Sequence, residues 1–123
     1  MKGARPARER VRAERQGRKG EAEAAMYLRS AGWRILAERV RNPAGEIDLV
    51  ARRGSMVIFV EVKWRARAAD LDTAIDARRL SRVCAAAEVA APDYMGDGDD
   101  MRVDVLLLAP GHVPRHLANA GQF

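Results

Sequence analysis

A chain of 123 residues has the size of one domain and is too short for two full domains. Its residues are 48% hydrophobic and 32% charged, a composition that excludes a disordered chain. Its longest apolar runs, such as Val105 to Ala109, are far too short to cross a membrane. We therefore expect a soluble globular protein.

The positive charge is concentrated at the N-terminus. Residues 1–20 contain 8 Lys and Arg against 2 acidic residues, and the remainder contains 14 basic and 15 acidic residues. We predict a flexible basic arm at residues 1–18, a folded core at residues 19–110 and an irregular tail at residues 111–123. The charge of the arm indicates a polyanionic partner such as nucleic acid.

The sequence contains no sign of export. The N-terminal segment lacks the apolar stretch of a signal peptide, and the single cysteine, Cys84, cannot form an intrachain disulfide. We therefore expect a cytoplasmic protein with no membrane partner.

The first two predicted elements are a helix and a strand. Small and apolar residues at helical spacing predict a helix from Glu21 to Ala31. The strand covers Trp33 to Val40, and simple alternation puts Trp33, Ile35 and Ala37 on one face. Trp33 is expected in the core.

The next two strands form a hairpin. They cover residues 46–52 and 56–65 and are joined by Gly54-Ser55, and glycine at the first position of a two-residue loop is typical of a type II′ turn. This turn pairs Arg53 with Met56 and thereby fixes the register of the two strands.

A second helix and a fourth strand complete the order αβββαβ. Thr73 and Asp76 have the spacing of a capping box, and the helix that follows ends before Pro92. The strand covers Met101 to Ala109. Because a helix connects the third and fourth strands, these strands should be parallel, and the fold class should be α/β with a mixed sheet flanked by helices.

The predicted hairpin register places Asp48 directly opposite Glu61. The two side chains then emerge on one face, about 5 Å apart at their Cβ atoms, and Lys63 shares that face. Two neighbouring carboxylates repel each other unless a proton, a cationic side chain or a metal ion intervenes.

This cluster has a functional and a structural interpretation. Oxygen ligands favour Mg²⁺, with Mn²⁺ as a substitute, and the carbonyl of Val62 can add a third oxygen. Lys63 can then orient or activate a water molecule and offset charge on a phosphorus under attack, which describes a phosphodiesterase. In the alternative, Lys63 only forms a salt bridge with Asp48 or Glu61.

Four segments, together with the element order, resemble the YraN family of small bacterial proteins. This family belongs to the PD-(D/E)xK superfamily, which has a restriction-endonuclease-like fold, and is similar to archaeal Holliday junction resolvases. The segments are GRKGE at 17–21, GEIDLVA at 45–51, FVEVKWR at 59–65 and RVDV at 102–105. The resemblance implies that Asp48 and Glu61 hold the metal and that Lys63 assists the water.

The resemblance also assigns residues outside the hairpin. Glu21 takes the place of an acid in the first helix that can reach the metal, although a solvated carboxylate in the first helical turn is an equal alternative. Arg39 stands where this family commonly has Asn. The predicted nucleic-acid contacts are Arg18, Lys19, Arg65, Arg79 and Arg82.

Two histidines in the tail form a weaker candidate metal site. His112 and His116 have the i, i+4 spacing of ligands on a helix, but Gly111 and Pro114 disfavour a helix there. We therefore predict that both histidines are solvated.

The sequence thus predicts a Mg²⁺-dependent DNA endonuclease, with branched DNA as a substrate by family analogy. Cleavage of a four-way junction would favour a homodimer, because the two cuts are related by symmetry. One alternative is a nucleic-acid-binding module that keeps the fold without turnover. Another is an accessory protein whose basic arm docks a partner.

Overall fold

The computed structural model describes residues 20–121 and contains the predicted order αβββαβ with one further strand. The basic arm at 1–18 lies outside the described residues. In the described part, no helix is long and apolar enough to cross a membrane. The elements are α1 (20–30), β1 (Arg34–Asn42), β2 (Gly45–Arg53), β3 (Met56–Trp64), α2 (Ala77–Ala90), β4 (Asp100–Leu108) and β5 (Arg115–Leu117).

The five strands form one mixed sheet in the order β1-β2-β3-β4-β5. All neighbours are antiparallel except β3 and β4, which run parallel. The connection between these two strands contains α2, as the predicted crossover requires. The mixed α/β fold class is therefore confirmed.

The core lies on both faces of the sheet. One cluster joins α1 to the sheet through Leu28, and Trp33 belongs to it and is 4% exposed, which confirms its predicted core position. The second cluster joins α2 to the other face through Val83 and Ala87, which pack with Phe59 of β3. Because both faces are covered, β3 is apolar at every position before Glu61.

A bulge in β1 overturns its predicted alternation. The pairing with β2 shifts between Ile35 and Ala37, so Ile35 packs on the α1 side of the sheet whereas Ala37 packs on the α2 side. An inserted residue reverses the face of every later side chain, and nothing in the local sequence marks the insertion. The prediction that Trp33, Ile35 and Ala37 share one face was therefore wrong.

The predicted hairpin register is confirmed. Arg53 pairs with Met56 across the loop, and Gly54 has a φ of 61°, as the first position of a type II′ turn requires. The β2–β3 pairing ends at Leu49 and Val60, so the predicted pair of Asp48 directly opposite Glu61 does not form in the ladder, although the two side chains remain close enough for the charge of Glu61 to act on Asp48.

The predicted capping box is absent at the start of α2. Asp76 is itself the N-cap and accepts a hydrogen bond of 2.9 Å from the backbone N–H of Arg78. Thr73 is the last residue of a 3₁₀ helix, Ala68–Thr73, and its hydroxyl donates to the carbonyl of Asp70 at 3.4 Å. Thr73 is thus too early in the chain to cap α2.

The tail is more ordered than predicted, because Arg115–Leu117 form strand β5. Asp104 is fully buried in β4 and attracts this segment: Nε2 of His116 lies 2.7 Å from its carboxylate, and the N–H of Asn119 donates to it at 2.9 Å. The predicted solvated His116 was therefore wrong. Burial raises the pKa of Asp104, but hydrogen bonds from His116 and Arg102 outweigh burial and lower the pKa overall.

Candidate functional site

Glu61 is the buried centre of the candidate site. Its side chain points to the α2 side of the sheet, and the residue is only 3% exposed. Its Oε1 accepts a hydrogen bond of 3.0 Å from Nε of Arg79 and lies 3.4 Å from Nζ of Lys63. Its Oε2 is buried with no hydrogen-bond partner among residues 20–121. An ionised oxygen without a partner is costly to bury, so this atom marks a place for a ligand.

Asp48 occupies the point where β2 and β3 separate. Its Oδ2 accepts a hydrogen bond of 2.7 Å from the backbone N–H of Val62. In a regular antiparallel ladder this N–H would donate to the carbonyl of Ile47, but the pairing of β2 with β3 ends at Leu49 and Val60. The Asp48 side chain therefore replaces a backbone partner at the end of the hairpin.

The alternation of β2 also breaks at Asp48. Ile47 and Val50 are three residues apart and should face opposite sides, yet both pack in the cluster under α2. On the neighbouring strand β1, Arg39 lies opposite Asp48, between the pairs Glu38–Leu49 and Val40–Ile47. Its φ is 53°, a left-handed conformation that Asn adopts more readily than Arg. This irregularity lies at the position where the sequence resemblance leads us to expect Asn, and the backbone conformation suits that expectation.

The carboxylate of Asp48 is perturbed by its surroundings. Burial, and next the negative charge of Glu61, raise the pKa of Asp48 from 3.8 to about 7, and the charge of Glu21 adds to this effect. The hydrogen bond from Val62 and the positive charge of Arg79 act in the opposite direction and together do not compensate. The positive charge near Asp48 is thus too small to keep its pKa at the ordinary value, and a cation would add to that charge.

Glu21, the predicted third acidic ligand, lies at the edge of this cluster. Its carboxylate accepts a hydrogen bond of 2.7 Å from Nε of Arg39, and its side chain is 20% exposed. Glu21 is therefore not the freely solvated carboxylate of the alternative prediction. It contributes negative charge at Asp48 while Arg39 holds its carboxylate.

Lys63 lies on the same face of β3 as Glu61, as predicted, and its side chain is 17% exposed. Beside the two side chains is a small cavity of about 10 Å³, which Arg79 and Leu80 of α2 also line. This volume is close to the minimum that one water molecule needs. Lys63 can therefore face a single small molecule next to Glu61.

The donor set fits a hard divalent cation. Asp48 and Glu61 offer carboxylate oxygens, and the carbonyl of Val62 points to the same strand edge as its N–H, beyond the last β2–β3 pair. The described residues contain no group of three or more His, Cys, Asp or Glu side chains arranged around a metal. Mg²⁺ needs no such group, because it is commonly held by one or two carboxylates and keeps several waters.

The predicted nucleic-acid contacts divide into three sets. Arg79 and Arg82 line a groove of about 150 Å³, and of these two residues Arg79 also contacts Glu61. Arg65 follows β3 and donates to the carbonyl of Trp64 at 2.8 Å, so its guanidinium turns to its own backbone. Arg18 and Lys19 lie outside the described residues.

Sequence reasoning missed the ion pair between Arg79 and Glu61. It assigned Arg79 to phosphate and considered only Lys63 as the cationic partner of Glu61. A usable signal exists, because a buried carboxylate on a sheet face needs a partner from the helix that covers it, and Arg79 is in the first turn of α2.

Comparison with known proteins places the chain among relatives of similar length. The model of "Uncharacterised protein family UPF0102" matches residues 20–108. A "UPF0102 protein" of Erythrobacter litoralis is 66% identical over 110 residues, which are 89% of this chain and 95% of the relative. Another, of Sphingopyxis alaskensis, is 58% identical over 92% of this chain and 97% of the relative. A third, of Rhodopseudomonas palustris strain HaA2, is 45% identical over 94% of this chain and 91% of the relative.

Proposed function

The chain belongs to the UPF0102 family, the YraN family of the sequence resemblance, and from this premise we propose that it is a metal-dependent DNA endonuclease of the PD-(D/E)xK type. The observation that carries the proposal is the pair Asp48 and Glu61. One oxygen of Glu61 is buried without a partner among residues 20–121, and the pKa of Asp48 is raised to about 7. Both features are relieved by one divalent cation between the carboxylates.

In this proposal Asp48, Glu61 and the carbonyl of Val62 hold Mg²⁺, or Mn²⁺ in its place, and Glu21 is a fourth candidate ligand. The cation supplies Lewis-acid polarisation of the phosphate and stabilises the negative charge that develops on it. The protein's part is to fix the ligands on two strands of a sheet, where the backbone restrains their positions.

Lys63 is the residue proposed to act on the reacting groups. Its Nζ is 3.4 Å from Glu61, and its side chain borders the small cavity beside that carboxylate. A cationic donor there can hold the attacking water by a hydrogen bond and offset the charge on the phosphorus. Metal binding and water activation are thus divided among three residues that lie within one hairpin.

The substrate proposal combines charge with family analogy. The excess of basic residues at positions 1–20, together with Arg79 and Arg82 at the groove, suits a polyanion held through its phosphates. DNA, and branched DNA in particular, comes from the similarity to Holliday junction resolvases, as does the homodimer. We place the activity in the cytoplasm, where the chromosome of a bacterium is accessible.

One observation favours a second candidate, a nucleic-acid-binding module without turnover. Arg79 and Lys63 both contact Oε1 of Glu61, so two cationic side chains already neutralise this carboxylate. Such pairing would let the fold persist without a metal. The two candidates agree on DNA binding and differ on hydrolysis.

The proposal is tested with labelled linear, flapped and four-way-junction DNAs incubated with Mg²⁺, Mn²⁺ or EDTA. We expect cleavage of at least one structured DNA that needs the metal and disappears in Glu61→Gln. Glu88→Gln, which changes an exposed carboxylate of α2, is the matched control. Metal-independent binding of every DNA without cleavage would favour the binding module.

A further inference from the structure

Arg79 lies between two spaces on the α2 side of the sheet. On one side it contacts Glu61 and borders the small cavity that Glu61 shares with Lys63. On the other side it lines the groove of about 150 Å³. The two spaces have no other lining residue in common.

The contact between Arg79 and Glu61 is an ion pair with a buried carboxylate. The side chain of Glu61 is 4% exposed, whereas that of Arg79 is 41% exposed, so the guanidinium can leave the carboxylate without crossing the core. A buried carboxylate needs a cationic partner, and a divalent cation at Glu61 would fulfil this need. The metal and Arg79 therefore compete for the same charge.

The groove can receive the guanidinium. Arg82 is exposed, lies three residues after Arg79 on the same face of α2, and forms no ion pair among residues 20–121. Glu46 also lines the groove, but Nε of Arg41 lies 2.7 Å from its carboxylate and offsets its charge. The groove thus offers two arginines to one ligand.

At the groove, the backbone of β2 lies close to the backbone of α2. Gly45 has a φ of 155°, and a Cβ atom at this position would lie 3.2 Å from the carbonyl oxygen of Arg82. The glycine lets β2 approach the turn of α2 that carries Arg82. At about 150 Å³ the groove holds several times the volume of one water in the liquid, about 30 Å³, which is room for a phosphate group with some hydration.

We propose that Arg79 exchanges one partner for another. Without metal its guanidinium neutralises Glu61. When a divalent cation binds Glu61, the guanidinium turns to the groove and, with Arg82, binds a backbone phosphate of the nucleic acid. The inference rests on the proposed function, because it needs a metal at Glu61. It goes further by coupling metal binding to phosphate binding through one side chain. Each ligand thereby strengthens the binding of the other.

The first test is Mn²⁺ titration by calorimetry, with no DNA present. Because Arg79→Gln removes the competing cation, this variant should bind Mn²⁺ about tenfold more tightly than the unchanged protein. Arg82→Gln and Arg78→Gln should bind Mn²⁺ as the unchanged protein does, since neither residue contacts Glu61. An unchanged or weaker affinity in Arg79→Gln would overturn the proposal and show a fixed structural partner.

The second test measures affinity for a labelled DNA duplex in EDTA and in Ca²⁺. The unchanged protein should gain affinity when Ca²⁺ is added, and this gain should be at least about fivefold smaller in Arg79→Gln. Arg82→Gln should bind more weakly in both solutions. Arg78→Gln, which changes an exposed arginine that does not line the groove, should behave as the unchanged protein. An equal gain in Arg79→Gln would overturn the exchange.

Arg79→Lys keeps the positive charge and serves if circular dichroism shows that Arg79→Gln is unfolded. This variant should retain Mn²⁺ affinity close to that of the unchanged protein, while the gain in DNA affinity with Ca²⁺ should shrink, because lysine lacks the planar donor pair that suits phosphate. If Ca²⁺ raises the DNA affinity of Arg79→Lys as much as that of the unchanged protein, the proposal is overturned. If the unchanged protein binds no Mn²⁺, the proposed function fails as well, which distinguishes that failure from a failure of the exchange alone.

Discussion

The backbone N–H of Val62 donates a hydrogen bond of 2.7 Å to Oδ2 of Asp48 at the position where the β2–β3 pairing ends. The bond fixes one oxygen of the carboxylate to β3 and directs Asp48 to the strand that carries Glu61. It also leaves the carbonyl of Val62 beyond the paired part of the hairpin. The end of regular pairing thus creates the oxygen-rich edge on which the proposed metal site depends.

The stability of the metal-free protein should fall as pH rises from about 4 to about 7, the range between the ordinary and the raised pKa of Asp48. The folded protein holds a proton on Asp48 more tightly than the unfolded chain does, and this stabilisation is lost as pH rises through the folded pKa. The loss is at most about 1.4 kcal/mol per pH unit. Asp48→Asn should remove this part of the slope.

Urea unfolding in EDTA at several pH values measures this effect. Asp48→Asn should be more stable than the unchanged protein at pH 8 and should differ less at pH 5, with Glu88→Gln following the unchanged protein. If the free energy of unfolding depends on pH in the same way in Asp48→Asn and in the unchanged protein, the pKa of Asp48 is not raised in the folded state.

Lys63→Ala should reduce turnover far more than metal affinity. In other enzymes, removing one hydrogen-bond donor that stabilises the negative charge of the transition state lowers the rate by about 10² to 10³ fold. Metal affinity should stay the same or rise, because Nζ of Lys63 lies only 3.4 Å from a proposed ligand oxygen of Glu61. Single-turnover cleavage and Mn²⁺ calorimetry on the same variant separate the two quantities. Equal losses in both would assign Lys63 to metal binding.

Asp104→Asn should destabilise the protein by about 3 kcal/mol, because it leaves Arg102 and His116 without their buried carboxylate. The pKa of Asp104 is lowered, so its contribution is present above the ordinary pKa and is lost as pH falls through the folded value. The difference between variant and unchanged protein should therefore shrink near pH 3. Unfolding curves at pH 7 and pH 3 measure it, and Mn²⁺ affinity at pH 7 should stay unchanged.

Deletion of residues 2–16 should weaken DNA binding to a similar extent across sequences, because this segment holds most of the excess positive charge. If about four of its cations contact phosphates, the slope of log affinity against log salt should decrease by roughly 3 to 4. Fluorescence anisotropy at several salt concentrations measures the slope. If the slope is unchanged, the phosphate contacts belong to the core, with Arg79 and Arg82 as the first candidates.

The order of elements and the hairpin register could be predicted because each has a local signal. Gly54-Ser55 fixes a two-residue turn, and the turn fixes which residues of β2 and β3 are opposite each other. The same register is enough to predict that Asp48, Glu61 and Lys63 lie at one end of the hairpin.

The features that were missed depend on contacts between distant segments. The bulge after Ile35 and the left-handed conformation of Arg39 arise where β1 pairs with the irregular strand β2. Neither Ile nor Arg is a residue type that predicts such a conformation. The order of the tail depends on a bond between His116 and a carboxylate buried 12 positions earlier, in β4. The pairing of Arg79 with Glu61 follows from packing α2 on β3, which periodicity alone does not specify.

The proposed site depends above all on joint binding of one divalent cation by Asp48 and Glu61, and Mn²⁺ titration by calorimetry measures that binding without any nucleic acid. We expect one site in the unchanged protein that either Asp48→Asn or Glu61→Gln weakens by at least about tenfold, with Glu88→Gln unchanged. A site that survives both substitutions, or no Mn²⁺ binding by the unchanged protein, would show that these two carboxylates do not form a metal site.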